Sequence, residues 1–409
     1  MPKCARTVPA RSPLLPIFLI VLVDVLGFTI VIPLLTLYAE KFGASELTAT
    51  TLTSVYAVCS LISTPVIGNL SDRYGRRKLL LLSQAGTCAG FLVLGTAESL
   101  WMVFLGRILD GATAGNLSTA QAYISDHTKP EDRAKAFGII GIAFGIGFMF
   151  GPGLGGVLGE YGMHVPFLVS AGLSALSMVC TYTILPRELP PQDPEAAAAA
   201  TGPGGRRPGA FDFATYVDYF KRPGLASIYV RFFLFTFAFS AFTSGFALFA
   251  EQRFEWKARD TGYLFTYAGF LGIILQGGLI GRLVKKFGEV SLGVAGFLAC
   301  AVGYVMMGFA ETIVMIVITA TVNSFGNGVL RPVLTSQITH KVGRHEQGVA
   351  LGISGSLSSL AMTMAPPSGG GFLKAHSTLG WALVPAGVAL IGLVASLIAR
   401  YSPRDESQG

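Results

Sequence analysis

The sequence predicts an all-α membrane protein whose twelve transmembrane helices form two pseudo-symmetric six-helix bundles. Hydrophobic residues make up 52% of the 409 residues and charged residues only 13%, a balance that excludes an ordinary soluble domain. Apolar runs of about 20 residues, the length that crosses a bilayer, recur twelve times along the chain. The second half also repeats glycine positions of the first half at an offset of 213 residues and, after one inserted residue, further glycine and proline positions, which predicts two related bundles.

The apolar runs are predicted spans near residues 14–39, 48–70, 79–97, 100–124, 136–159, 165–186, 224–249, 261–283, 290–309, 312–336, 348–373 and 380–400. A Pro/Gly-rich stretch separates the sixth run from the seventh and is typical of a flexible linker. We therefore predict an N-terminal bundle over residues 1–186, a cytoplasmic central loop over 187–223 and a C-terminal bundle over 224–409. The first run is too long for a signal peptide, so we interpret it as a retained span.

Charge is distributed asymmetrically between alternate loops. Most of the 30 Lys and Arg residues fall in the two termini and in every second loop, and such residues are retained on the cytoplasmic side of a membrane. Both termini are therefore predicted to be cytoplasmic. The net charge of +7 reflects this topology, and no nucleic-acid partner is predicted.

Composition and motifs also limit the chemistry. The five cysteines lie in the N-terminal tail or within spans, so neither a disulfide framework nor a metal site is predicted. We expect no cofactor and no enzymatic activity. The nucleotide-binding pattern G-x-x-x-x-G-K-[ST] does not occur, which argues against an ATP-driven pump in one chain.

The connection between the second and third runs carries four cations beside one carboxylate. Glycines at its ends are expected in a tight turn, where positive φ or close backbone approach is needed. Basic hairpins are common in membrane proteins, but the pattern G-x-L-x-D-R-x-G-R-R resembles the signature loop of the major facilitator superfamily. The resemblance implies a cytoplasmic gate that comprises Gly68, Asp72, Arg73, Gly75, Arg76 and Asp126.

Three charged residues lie inside predicted spans of the N-terminal half. A charge at the centre of a bilayer costs roughly 2.5–3.5 kcal/mol, so Asp24 is either a proton-binding acid or a neutral, hydrogen-bonded structural residue. Arg107 and Asp110 share a helix face and form either a self-neutralising pair or a device that tunes an acid across the cavity. The surrounding motifs resemble those of drug:proton antiporters, which implies that these residues couple protons.

The fifth run contains the pattern G-x-x-x-G-P-x-x-G-G. Its glycines allow close approach of a second helix, and its proline removes a backbone hydrogen bond. One interpretation is a kinked packing helix. The pattern also resembles the fifth-helix motif of antiporters, as opposed to uptake symporters, and is formed by Gly147, Gly151, Pro152, Gly155 and Gly156.

Substrate contacts are expected from both halves. Span 7 carries a stripe of phenylalanines at helical spacing, which is either a packing face or an aromatic wall for planar or cationic substrates. The acid–base residues of span 4 are not repeated in the second half, so substrate selection is expected to depend mainly on the C-terminal half. The candidate residues are Asn116, Gln121, Phe235, Phe239, Phe242, Gln276, Asn323 and Asn327.

Outside the central loop and both tails, the chain resembles tetracycline-exporter-like multidrug efflux proteins, although span 3 lacks their intramembrane acid. This resemblance implies a secondary transporter that exports small amphipathic, drug-like molecules in exchange for protons by alternating access. A proton-coupled uptake symporter for a metabolite or sugar and a non-transporting membrane sensor are the alternatives. The expected partners are a small-molecule substrate, protons and the lipid bilayer, with a monomer in a bacterial inner membrane.

Overall fold

A computed structural model describes residues 14–32, 34–127, 133–185, 213–343 and 346–401, and all regular structure in these ranges is helical. We number the spans in chain order. The uninterrupted ones are spans 2 (Glu46–Tyr74), 3 (Arg76–Gly95), 5 (Arg133–Glu160), 6 (Val165–Ile184), 7 (Leu225–Phe254), 9 (Glu289–Gly308), 10 (Ile313–His340), 11 (Gln347–Lys374) and 12 (Thr378–Tyr401). Span 8 covers 258–287 and contains one π-helical turn, Leu275–Leu279.

Two further spans complete the predicted twelve. Span 1 is the helix Leu14–Val31, and a short helix, Leu35–Glu40, follows it. Span 4 is divided into Leu100–Ala112 and Asn116–His127. Within the described ranges, ten helices are long and apolar enough to cross a membrane, and these two interrupted spans are additional to them. The predicted all-α membrane fold is confirmed.

The internal repeat is visible in the connections between spans. Only Gly75 separates span 2 from span 3, and only Gly288 separates span 8 from span 9. Their φ angles are 97° and 76°, values that residues with a Cβ rarely adopt. The two glycines occupy equivalent positions in the two halves, so the sequence repeat corresponds to a repeated backbone geometry.

The two bundles contact each other at one face of the molecule. We call the face that carries Gly75 and Gly288 the basic face, because lysines and arginines surround both turns, and the opposite one the far face. The side-chain hydrogen bonds that join the halves include Arg259 to Glu160 at 2.9 Å and Gln252 to Glu46 at 3.2 Å. Both lie at the far face.

Toward the basic face the two halves separate. The residues of span 8 that follow its contact with span 5 are mostly solvent-exposed, including Gln276 in the π-helical turn and Arg282 beyond it. The halves are therefore in contact at the far face, and we call the space left between them toward the basic face the cleft.

The central loop ends in a helix, Phe213–Lys221, that packs on the C-terminal bundle. Tyr219 is buried, and Arg222 lies 4.2 Å above its ring. The Arg222 guanidinium donates two hydrogen bonds, of 2.9 and 2.8 Å, to the Glu346 carboxylate at the start of span 11. Residues 186–212, which include the predicted start of the central loop at 187, lie outside the described residues.

The interruption of span 4 is stabilised by hydroxyl groups of neighbouring spans. Backbone groups freed from a helix inside a bilayer need partners within the protein. Ser63 donates to the Gly111 carbonyl at 2.6 Å, and Thr64 donates to the Ala114 carbonyl at 2.8 Å. Ser83 of span 3 accepts from a backbone N–H and also donates to a carbonyl of the interruption.

We predict that removing the span 2 donors destabilises the protein. The double change Ser63→Ala with Thr64→Val removes both hydroxyl donors of the Ala114 carbonyl and leaves the Gly111 carbonyl with backbone donors alone. A buried carbonyl without a partner costs about 1–3 kcal/mol. Thr51→Val is the control, because the Thr51 hydroxyl bonds only to the Thr48 carbonyl of its own helix. Thermal unfolding in detergent measures both variants, and an equal loss in the two would contradict the assignment.

Candidate functional site

Asp24 lies among neutral polar side chains from three other spans. Its carboxyl group is within hydrogen-bonding reach of Ser177 in span 6, Gln84 in span 3 and Asn116 at the start of the second helix of span 4. The Gln84 amide is fully buried and donates to the Ser177 hydroxyl at 2.6 Å. Within the described part of the chain, Asp24 Oδ1 has no hydrogen-bond partner.

This arrangement is suited to binding and releasing a proton. A carboxyl group that is not held by a cation can change its protonation state without breaking an ion pair. The neighbouring hydroxyl and amides can donate to the carboxylate or accept from the acid. Asp24 is the predicted acid of span 1, and the structure brings it together with Asn116, a predicted substrate contact.

Arg107 and Asp110 form a buried ion pair next to this group. Arg107 Nη1 lies 2.9 Å from Asp110 Oδ2, and the two side chains are only 3% and 5% exposed. The guanidinium also lies 4.3 Å above the Tyr56 ring. The predicted pairing on one helix face is therefore present. Asp110 is also close enough to Asp24 for the two charges to interact.

Span 5 is packed tightly against span 1. Three of its motif glycines point at span 1, where an added Cβ would collide with Val25 at Gly147, Thr29 at Gly151 and the Ile30 carbonyl at Gly155. The Thr29 hydroxyl also donates to the Gly147 carbonyl at 2.9 Å. Because the glycines at these positions have no side chains, the backbones of spans 1 and 5 come into direct contact.

The other face of span 5 contacts span 8 across the two halves. A Cβ on Gly156 would lie 2.8 Å from the Ala258 carbonyl oxygen, and the Pro152 carbonyl lies against Gly262. The antiporter-like motif therefore joins span 1, which carries Asp24, to the C-terminal half at the far face.

Three carboxyl groups also meet at the far face. Glu40 from the short helix after span 1 lies within hydrogen-bonding reach of Glu251 near the end of span 7, and Glu46 is close by. Burial, followed by the charges of Glu251 and Glu46, raises the pKa of Glu40 to about 8. The closed far face therefore keeps Glu40 protonated near neutral pH.

The predicted cytoplasmic gate is described in part. Arg76 donates to the buried Ser71 hydroxyl at 2.6 Å, whereas Arg73 is exposed and Gly68 has open space around it. The side chains of Asp72 and Asp126 lie outside the described residues. The ion pair expected between this loop and Asp126 therefore stays a prediction.

The predicted aromatic residues form part of the C-terminal core. Phe242 is buried and stacks on Trp381 with ring centroids 5.7 Å apart, and Tyr304 lies at 5.2 Å. Phe235 is also buried, and the half-buried Phe239 stacks on it at 6.3 Å. In this conformation the stripe therefore packs mainly within its own bundle.

The predicted polar substrate contacts are dispersed. Gln121 and Gln276 are exposed. Asn323 is buried against span 9, and Asn327 accepts a 3.7 Å contact from the Cys300 thiol. Except for Asn116, the structure does not bring these residues together with Asp24.

Sequence reasoning did not identify Ser177 as a neighbour of Asp24. The signal was a polar stripe in span 6 at spacings of three and four residues, formed by Ser170, Ser174, Ser177 and Thr181. All four are buried, and the first two donate to backbone carbonyls of spans 1 and 3. The stripe holds span 6 against the helices that carry Asp24 and Gln84.

We predict that Gly156→Ala weakens closure of the far face. The added methyl group must push span 5 away from the Ala258 carbonyl. Gly141→Ala in the same helix is the control, because nothing lies within 4 Å of that position. Electron-spin distance measurements between labels at the far ends of spans 5 and 8 should show a longer distance for Gly156→Ala alone. Identical distributions in both variants would contradict this packing role.

We predict that the far face closes more firmly in acid. If opening returns Glu40 to solvent and its ordinary pKa of 4.5, the closed state holds a proton that the open state releases between pH 4.5 and about 8. This stabilisation is complete below pH 4.5 and is lost as pH rises through about 8. Glu40→Gln should remove the pH dependence of label distances across the far face, and exposed Glu98→Gln should keep it. Unchanged pH dependence in Glu40→Gln would exclude Glu40 as the group that makes closure of the far face depend on pH.

Comparisons with known proteins agree with this geometry. The Major Facilitator Superfamily model matches residues 17–366 and 275–409. Tetracycline resistance protein, class C, of Escherichia coli is 30% identical over 353 residues, which cover 85% of this chain and 86% of the relative. Multidrug resistance protein 2 of Bacillus subtilis (strain 168) is 27% identical over 366 residues, which cover 87% of this chain and 88% of the relative.

Two solved structures share the fold. The human organic anion transporter MFSD10 (TETRAN) superposes with a TM-score of 0.71 at 21% identity, over 95% of this chain and all of that one. An inward-facing, unoccupied bacterial homolog of the human lysosomal transporter Spinster superposes with a TM-score of 0.73 at 16% identity, over 97% of this chain and all of that one. The resemblance seen in the sequence is thereby confirmed, and the chain belongs to the major facilitator superfamily of membrane transporters.

Proposed function

We propose that this protein exports small amphipathic, drug-like molecules in exchange for protons by alternating access. The observation that carries the proposal is the environment of Asp24, an intramembrane acid beside neutral polar groups, with one oxygen that has no hydrogen-bond partner among the described residues. Intramembrane acids of this kind are typical of proton relays in transporters.

The orientation follows from charge. Because arginines and lysines are retained on the cytoplasmic side, the basic face is the cytoplasmic face, and both termini lie there. The cleft of this structure then opens to the cytoplasm. The bacterial tetracycline and multidrug resistance relatives support a bacterial inner membrane as its location.

In this scheme Asp24 releases its proton inward when the cleft is open to the cytoplasm, and the substrate enters. The two bundles then rock, the far face opens, and a proton from outside displaces the substrate. The Arg107–Asp110 pair tunes the protonation of Asp24 through its proximity. One charge that crosses 100 mV supplies about 2.3 kcal/mol, enough for a gradient of roughly fiftyfold.

Export is supported by two observations. The span 5 motif joins Asp24's helix to the C-terminal half at the far face, and several relatives are named as resistance proteins. One chain supplies both walls of the cleft, which supports a functional monomer. The walls come from the halves 1–186 and 224–409, and residues 187–223 connect them. In the same proposal, the gate residues Asp72 and Asp126 help to close the cytoplasmic side of the protein.

We predict that Asp24→Asn abolishes proton exchange. In energised inside-out vesicles, a pH-sensitive dye should recover fluorescence when a substrate drug is added to wild type, and Asp24→Asn should show none of this recovery because the amide cannot release a proton. Asp218→Asn is the control, since Asp218 is an exposed acid on the helix at the end of the central loop. Proton movement retained in Asp24→Asn would exclude Asp24 as the proton carrier. Accumulation of the substrate in cells that contain the protein would indicate uptake instead of export.

A further inference from the structure

Span 10 carries an intramembrane charge that the proton-exchange proposal does not use. Arg331 lies about 14 Å along the helix axis from the end of the span at His340. This distance places it deeper than a side chain at the membrane surface. Its side chain is nevertheless exposed, which leaves the guanidinium open to the space beside the helix.

The position of Arg331 on the helix directs it into the cleft. One face of span 10 packs on span 9, with Gly326 against Cys300 and Leu330 against Gly296. Arg331 lies about 100° around the helix from Leu330, and its guanidinium lies 5.9 Å from the ring centroid of Phe235 in span 7.

Span 8 borders this opening on its other side. The Tyr267 hydroxyl of span 8 lies 2.9 Å from the Thr321 hydroxyl of span 10. Nearer to Arg331, Leu275 of span 8 packs on Gly328, one helical turn before it. Since Arg331 contacts span 7 at Phe235, the guanidinium faces the gap between spans 7 and 8. This gap belongs to the cleft that opens at the basic face.

Three arginines of the described ranges have carboxylate partners that Arg331 lacks. Arg107 pairs with Asp110, Arg222 with Glu346 and Arg259 with Glu160. For Arg331, no carboxylate in the described ranges is close enough to influence the guanidinium. An unpaired cation at this depth is unfavourable, and an anion that enters the cleft would offset that penalty.

We propose that Arg331 and Phe235 form a subsite for the anionic group of an aromatic, amphipathic substrate. This inference rests on the proposed function and names the substrate class. The guanidinium fork can hold a carboxylate or sulfonate through two parallel hydrogen bonds. Phe235 is buried beside the guanidinium, so the aromatic part of the substrate would contact the half-buried Phe239 that stacks on it. The same charge would repel cationic amphiphiles, which gives the site selectivity.

Two xanthene dyes of similar shape and opposite charge test this subsite. Binding of fluorescein, an anion, and of tetramethylrhodamine methyl ester, a cation, is measured by fluorescence anisotropy with purified, full-length protein in detergent. Wild type should bind fluorescein more tightly. Arg331→Gln should weaken fluorescein binding about tenfold or more, which corresponds to about 1.4 kcal/mol, and should narrow the preference between the dyes. Arg331→Lys should fall between, because it keeps the charge and loses the fork.

The control is Arg282→Gln, which removes an exposed cation at the basic end of span 8. It should leave fluorescein binding unchanged. Unaltered fluorescein affinity in Arg331→Gln, equal losses in both variants, or no fluorescein binding by folded wild type would each overturn the proposal. This test needs no proton movement, so loss of charge selectivity here and loss of proton exchange in Asp24→Asn vesicles are separate outcomes.

Discussion

A polar group buried within a bilayer must find its partners inside the protein, and the N-terminal bundle depends on this constraint. The interrupted span 4 exists because hydroxyl groups of spans 2 and 3 bind its free backbone groups. The interruption ends at Asn116, which brings that side chain to Asp24. The C-terminal bundle has a different core, in which Phe242 and Phe249 stack on Trp381.

The contacts between the bundles explain why the cleft has one opening. At the far face, glycine-mediated backbone contact is joined by the Arg259–Glu160 ion pair. Toward the basic face, span 8 continues past a π-helical turn into an exposed segment. The separated halves place an acid, Asp24, in one bundle and a cation, Arg331, in the other. A substrate and a proton can therefore act on different walls of one cavity.

The sequence predicted the number of spans, the two bundles and a tight turn at Gly75, because hydropathy and glycine spacing are local signals. Gly68, expected at the other end of that turn, lies instead inside span 2. It also predicted the Arg107–Asp110 pair, which follows from helix periodicity. It did not predict the partners of Asp24. Gln84 and Ser177 come from distant spans, and their meeting depends on how the helices rotate against one another. The burial of Phe242 could not be predicted either, since a stripe shows a face but not what covers it.

The central claim is that Asp24 exchanges its proton as substrate binds. The most direct test measures proton release from purified protein in weakly buffered detergent solution, with a pH indicator, when a transported compound is added. The account predicts release by wild type, with a pH dependence that reports one titrating acid, and none by Asp24→Asn despite retained binding. Proton release that persists in Asp24→Asn would contradict the account.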